Sequence, residues 1–291
     1  ILFDNVTGDN LTDELVVRYL DNVTLNFETS ERMVDFPKVL INGIEKTASK
    51  QIVNGNTDIT ATKWMVVYEV RSFDSGLLDY SDFIGSDPAG NPVTVFNPVI
   101  STKRVTVDNQ APEIKVVALS TDNRLSGNLY DSNGVQREDE LVTLRDDNVT
   151  LKFETDERVF RPKVRINGDQ KTAVPQTISG NQDKTGTKWK AVYQIKASDN
   201  GSVAFADFST TDPAGNSVIY DNLTVTSEKS VTVDNLVPSV SSVSLSTNNV
   251  GTLFDNVTGN ARDNDSVARF GDNVTLKFET SERVINPKGQ S

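Results

Sequence analysis

The chain has 291 residues, 29 Lys+Arg against 41 Asp+Glu, a formal net charge of −12, and neither His nor Cys. The acidic balance excludes a nucleic-acid partner, which would need a basic face to displace counterions from phosphates. The missing imidazole and thiol exclude a Ser-His triad, a Cys nucleophile, a Cys/His zinc site and any disulfide, leaving carboxylate chemistry: paired-acid hydrolysis, or binding of hard cations such as calcium.

Read in chain order, the apolar residues recur with period two. Val23, Leu25 and Phe27 alternate with polar neighbours, and so do Trp64, Val66, Tyr68 and Val70, as expected of strands with one face in a core. Ile41-Asn42-Gly43 and Ile166-Asn167-Gly168-Asp169 carry the Asn-Gly signal of a tight hairpin, because both residues tolerate positive φ. Seven strands are expected over 114–119, 149–154, 163–166, 171–174, 189–197, 202–208 and 223–233. Residues 122–147 read as a polar loop in which Asp131, Asp139, Asp146 and Asp147 lack the spacing of an EF-hand. The alternation returns at Val274, Leu276 and Phe278, and no helical pattern of three turns occurs. Nor does any apolar run long enough to span a bilayer, so this segment is not expected to insert into a membrane.

The strands belong to a tandem repeat. Asp21-Asn22-Val23-Thr24-Leu25 recurs at Asp147–Leu151 and at Asp272–Leu276, Asp87-Pro88-Ala89-Gly90-Asn91 at Asp212–Asn216, and Val105–Asn109 at Val231–Asn235. Successive copies lie 125 or 126 positions apart, as 147 − 21 and 272 − 147 show. Three all-β modules follow: 1–108, lacking a counterpart of Pro112–Asn123; 109–234, complete; and 235–291, which ends where the complete module continues into Val164-Arg165-Ile166. Leu2–Gly8 matches Leu253–Gly259, so the chain starts and restarts in phase. Two readings of the partial modules stand: a segment of a longer array, or partial ends that complete one another between chains by strand addition. Seven short strands with turn signals between them predict an immunoglobulin-like β-sandwich for each module.

The Val-Asp-Asn-x-x-Pro junction, the Asp-Asn-Val-Thr-Leu strand, the Glu-Thr-x-Glu turn and the Asp-Pro-Ala-Gly-Asn turn together resemble bacterial immunoglobulin-like (Big) repeats of giant extracellular adhesins and fibre proteins. That resemblance implies an extracellular or cell-surface setting and a role as extender, with calcium often stiffening the module junctions. The topology itself places the loops after the second and sixth strands at the end where a module begins. It thereby groups Asp108 and Asn109 with Glu154, Asp156, Glu157 and Asp212 as candidate calcium ligands. Asp234, Asn235, Glu279 and Glu282 are the counterparts in the third module; Glu28, Glu31 and Asp87 are those in the first. Asp74 and Asp79, at the far end of the preceding module, are candidate additions. A simpler alternative stands for Asp212: Asp-Pro-x-Gly is also the preferred sequence of a type I turn, which the aspartate would cap.

Nine Asn-x-Ser/Thr sequons, at Asn5, Asn10, Asn22, Asn148, Asn200, Asn222, Asn256, Asn264 and Asn273, matter only if the source glycosylates secreted proteins. Three function classes remain: structural, ligand-binding and hydrolytic. A non-catalytic extender whose partners are neighbouring modules or copies of the same protein leads, since repetition serves a spacer better than an enzyme. A filament subunit joined by strand complementation and a glycan- or surface-binding adhesin are the alternatives. Trp64 and Trp189 fall in the inward phase of their strands, which speaks against an aromatic binding face. A carboxylate hydrolase is disfavoured because the acids recur module by module.

Overall fold

The computed structural model describes residues 2–3, 10–93, 103–124, 135–220 and 227–284. Asp131, the sequons at Asn5 and Asn222, and positions 223–226 of the last expected strand lie outside these residues. Every described element is a strand. The chain divides into two units, Ile1–Asp234 and Asn235–Ser291, which are taken separately.

Alternating burial explains the complete repeat. In Asn148–Thr155 every second residue from Val149 to Thr155 is buried, and Trp189, Ala191 and Tyr193 of Lys188–Gln194 continue the same inward phase, followed by Ile195 just past its end. One sheet orders Ile114–Thr121, Asn148–Thr155, Lys188–Gln194 and Val174–Pro175; the other orders Asp169–Thr172, Phe160–Ile166, Phe205–Thr211 and Ser217–Tyr220. Side chains from both sheets, Phe153 edge-on to Phe208 at 5.0 Å among them, meet in one core. This is an immunoglobulin-like sandwich. The Asn-Gly hairpins form as expected, with φ of 45° and 82° at Asn167 and Gly168, and 45° and 72° at Asn42 and Gly43.

Several strand boundaries differ from the sequence expectation. The polar loop contains a strand, Glu140–Thr143, which runs parallel to Ser230–Val233 and buries Thr143. Only a partner some ninety positions away supplies its ladder, so no local alternation announces it. Of the expected strand 223–233 only Ser230–Val233 is a described strand, joining Glu140–Thr143 and Gly201–Ser202, while Ser217–Tyr220, a strand the sequence reading did not list, pairs with Phe205–Thr211. The expected strand 202–208 is divided between the two sheets, Gly201–Ser202 pairing with Ser230–Val233 while Phe205–Thr211 pairs with Phe160–Ile166.

A second core in the same unit, built on Trp64, Tyr68, Val39 and Ile41, belongs to the preceding repeat. Its sheets are Asn22–Glu28 with Lys63–Glu69 and Ser49–Lys50, Ile44–Thr47 with Lys38–Ile41 and Tyr80–Ile84, and Glu14–Val17 with Arg104–Val107 and Gly76–Leu77. In unit Asn235–Ser291, Val240–Thr247 pairs with Val274–Thr280, and Thr252–Phe254 with Ala261–Ser266.

Both cores are closed by a tyrosine. The Tyr193 hydroxyl, buried, donates to Asp199 Oδ2 at 2.7 Å, and the same oxygen accepts the Lys196 amide at 2.8 Å. Tyr68 and Asp74 repeat the arrangement at 2.6 Å, with the Arg71 amide at 2.8 Å. Removing a hydrogen bond to a charged acceptor costs about 1.5–3 kcal/mol. Tyr193→Phe is expected to lower the free energy of unfolding by that amount, seen in equilibrium urea unfolding as a lower midpoint at unchanged slope.

Candidate functional site at the junction of the first two modules

The last strand of the first module, Arg104–Val107, lies parallel to Glu14–Val17, and the Asp108 amide continues that ladder by donating to the Val17 carbonyl at 2.8 Å. Asp108 thus ends one module rigidly while the next begins at Ile114. Its carboxylate accepts the Gln110 amide at 3.1 Å, and its carbonyl accepts the Asn216 side-chain amide at 2.9 Å.

Two loops of the second module come to the same place. In the Glu-Thr-x-Glu turn the Thr155 hydroxyl donates to the Glu157 carbonyl at 2.7 Å, and this buried anchor fixes where Glu157 stands. Thr29 holds Glu31 in the same way at 2.7 Å, and Thr280 holds Glu282 at 2.5 Å. In the Asp-Pro-Ala-Gly-Asn turn, Asp212, 2% exposed, accepts the Gly215 amide at 2.7 Å, the Asn216 amide at 2.8 Å and the Asn216 side chain at 2.9 Å. Asp87 closes the first module's turn in a similar way, accepting the Ala89 and Asn91 amides at 2.8 Å and the Asn91 side chain at 2.7 Å.

The structure brings Asp108, Glu157 and Asp212 together, with one carboxylate oxygen of each within 4.8 Å of the others. Burial, and then the charges of Asp108, Asp212 and Asp156, push the Glu157 carboxyl up to about 8. Burial likewise raises Asp108, with the Asp212 and Asp156 charges adding to it. Asp212 therefore caps its own turn and faces two other acids at once.

The other candidates are placed elsewhere. Glu154 pairs with Lys188 at 2.7 Å. Asp156 Oδ1 accepts the Glu113 amide at 2.7 Å, so that this acid caps the start of the first strand and borders the group as a charge. Asn109 faces back into the first module, accepting the Tyr19 amide at 2.5 Å and donating to the Asp74 carbonyl at 2.9 Å. Asp74 itself is committed to Tyr68 and Arg71; burial opposes its ionisation, but these partners hold it down to about 2. Asp79 accepts the Tyr80 amide at 2.9 Å. In the polar loop, Asp147 accepts the Asn123 side chain at 2.7 Å and the Leu144 amide at 2.9 Å, which makes it a loop closure. In the first module Glu28 lies 3.4 Å from Lys63, and Glu31 is exposed. The Asp234 amide donates to the Thr143 carbonyl at 2.9 Å, the counterpart of Asp108 with Val17, in the unit that ends there. Asn235 starts the second unit, where Glu279 is exposed and Glu282 half-buried. Among the described residues, no other group of three carboxylates reaches this spacing.

Three contacts across the junction have no counterpart in the sequence argument: Arg18 donating to the Gly215 carbonyl, Tyr19 to Asn109, and Asn216 to Asp108. Arg18 stands where the second module has Leu144 and the third has Arg269, three residues before the repeated Asp-Asn-Val-Thr-Leu, so the position varies from copy to copy.

An all-oxygen, three-carboxylate group suits a hard cation. Calcium takes six to eight oxygens at 2.3–2.6 Å, so oxygens on opposite sides of one ion lie roughly 4.6–5.2 Å apart, in keeping with the observed spacing. The backbone carbonyls of the junction and water would complete such a shell.

No protein-family model matches the chain, and no curated protein sequence does. Solved structures that align with it include domains A168-A170 from titin (12% identity, 80% of this chain and 67% of that one, TM-score 0.24). Others are Rst D1-D2 (12%, 76% and 96%, TM-score 0.28) and the Ig1-Ig3 ectodomain of mouse nectin-like molecule 4 (8%, 93% and 76%, TM-score 0.25). Superpositions this loose carry no argument, and the immunoglobulin-like assignment rests on the strand order above. Among the described residues no helix is long and apolar enough to cross a membrane.

Proposed function

We propose that the chain is a non-catalytic extender from a long extracellular filament or surface adhesin of the bacterial immunoglobulin-like kind, its modules locked in line by calcium at the junctions. The observation that carries this reading is the junction itself. Asp108 ends the last strand of one module, and its carboxylate meets those of Glu157 and Asp212 from two loops of the next. Carboxylates so placed repel one another when ionised, and a divalent cation converts that repulsion into a cross-link between modules. The neighbouring contacts of Arg18, Tyr19 and Asn216 serve the same end, because each joins the end of one sandwich to the start of the next. Both tryptophans are in cores, Trp64 at 1% and Trp189 at 6% exposure, so neither offers a face on which a glycan could stack.

Calcium at ten times its dissociation constant should stabilise the folded state by about 1.4 kcal/mol, since binding to the native state alone adds RT ln(1 + [L]/Kd). The test is thermal unfolding and small-angle scattering of the full chain in millimolar calcium and in chelator. A midpoint several degrees higher with calcium, together with a straighter particle, is expected. An unchanged midpoint and an unchanged scattering profile would sink the calcium lock.

A further inference from the structure

Asn-Gly occurs five times in the sequence, at 42–43, 54–55, 133–134, 167–168 and 200–201, and all but 133–134 lie within the described residues. The glycine matters chemically. With no side chain to shield it, its amide nitrogen can close a five-membered ring on the side-chain carbonyl carbon of the asparagine before it. Ring closure needs an untethered side chain, an unoccupied glycine amide and a backbone able to leave its turn, so the fold decides which pair reacts.

Three of the four described pairs are held. Asn42 Oδ1 accepts the Asp79 amide at 3.0 Å, and the Asn42 amide donates to the Asp79 carbonyl at 3.0 Å. Asn167 is fastened to Ala204 in the same two ways, each at 2.9 Å. Both of these turns join strands of a larger sheet. At 200–201 the nucleophile itself is engaged: the Gly201 amide donates to Asn200 Oδ1 at 3.0 Å, and Gly201 pairs with Val233.

Asn54 is not held. It is exposed at the tip of a ribbon, Ile52–Val53 with Asn56–Thr57, that joins no other described strand. Its backbone carbonyl accepts the Asn56 side chain at 3.4 Å, but among the described residues its own side chain has no hydrogen-bond partner. A two-stranded ribbon by itself is marginally stable, so this turn opens far more often than one fastened to a sheet. Nor does the turn demand an amide. In the next repeat Ser179-Gly180 takes φ of 49° and 85°, against 51° and 80° for Asn54-Gly55.

We infer that Asn54-Gly55 is a self-modification site of the folded protein, converting with water alone to aspartate and isoaspartate. The Gly55 nitrogen loses its proton to solvent and attacks Asn54 Cγ; the Cγ–Nδ2 bond breaks and ammonia leaves, taking up a proton. Water then opens the succinimide. Cleavage between the Gly55 nitrogen and Cγ leaves an aspartate in ordinary linkage. Cleavage between that nitrogen and the backbone carbonyl carbon leaves isoaspartate, through whose side chain the backbone now runs. Either product adds negative charge, and isoaspartate also lengthens a two-residue turn, which breaks the pairing of Val53 with Asn56. The inference stands apart from the calcium proposal.

Cleavage after Lys and Arg puts the four pairs on four separate peptides, so one digest compares them. The full chain is aged at mildly alkaline pH, folded and in urea, and each peptide is followed by mass spectrometry and isoaspartate labelling. In the folded protein Asn54 is expected to convert at least about fivefold faster than Asn42, Asn167 or Asn200, the factor that one hydrogen bond of ordinary net strength contributes when it must break first. In urea the four rates should converge. Asn54→Ser, which installs the residue of the next repeat, should remove isoaspartate from its peptide. Equal rates at Asn54 and the held pairs in the folded protein overturn the inference. So does a spread of rates that persists in urea, or isoaspartate that goes on forming in the Asn54→Ser peptide.

Discussion

Glu157→Gln is expected to stabilise the calcium-free protein at pH 8 and to abolish its response to calcium. The reasoning starts from the direction of the shifts. Glu157 is pushed up to about 8 and Asp108 is raised as well, in both cases by burial first and neighbouring carboxylates next. Between the ordinary carboxylate range and pH 8 the folded junction therefore holds more protons than the unfolded chain. Stability must fall as pH rises through that window, which is the opposite of the behaviour of a salt-bridged acid. Glutamine keeps the shape of the protonated acid and removes its charge. The gain at pH 8 should be about 1 kcal/mol, well below what the shift alone would imply, because Glu157 keeps solvent contact that screens its neighbours. Calcium acts on the same charges with the opposite sign, because it binds the ionised carboxylates that destabilise the free junction. Wild-type protein in chelator should thus unfold at a higher temperature at pH 5.5 than at pH 8, and millimolar calcium should shrink that difference. Thermal melts of both proteins at the two pH values, with and without calcium, check each part. A Glu157→Gln protein less stable than wild type in chelator at pH 8 would show that the acid is held by favourable contacts and not by repulsion.

Phe153→Ala is expected to cost about 3–5 kcal/mol, the range for truncating a fully buried phenylalanine that leaves a cavity. Phe153 is 1% exposed, packs edge-on against Phe208 and lies under Val117 of the first strand. Its counterpart Phe27 makes the equivalent contact with Phe83 at 4.8 Å but borders an open groove. Phe27→Ala should cost roughly half as much, because the site already lacks part of its packing shell. Denaturant unfolding should resolve the two modules, with each substitution moving only its own transition. Equal costs at the two positions would mean that the groove is closed in solution.

The asymmetry between these two phenylalanines shows how far sequence reasoning reaches. Val23-x-Leu25-x-Phe27 and Val149-x-Leu151-x-Phe153 have the same alternation, so a period of two identifies both as strands with the same inward face. It says nothing of whether a neighbouring strand covers them. Turn chemistry was equally legible: Asn-Gly at 42–43 and 167–168 takes the positive φ that those residues permit. Glu140–Thr143 was not, because a parallel pairing with Ser230–Val233 is a long-range event without a local pattern.

At the junction the division falls between topology and partners. The repeat phase and the loop order of a sandwich were enough to group the junction aspartate with the two turns, since backbone connectivity alone determines which loops share an end. Which acids face one another was decided only in three dimensions. Lys188 draws Glu154 aside, the Glu113 amide takes an oxygen of Asp156, and Asn109 turns back to Tyr19 and the Asp74 carbonyl. Asp108, Glu157 and Asp212 are left converging. Side-chain partners depend on contacts between segments far apart in the chain, so residue types and their spacing can name the loops of a site but not the atoms that meet there.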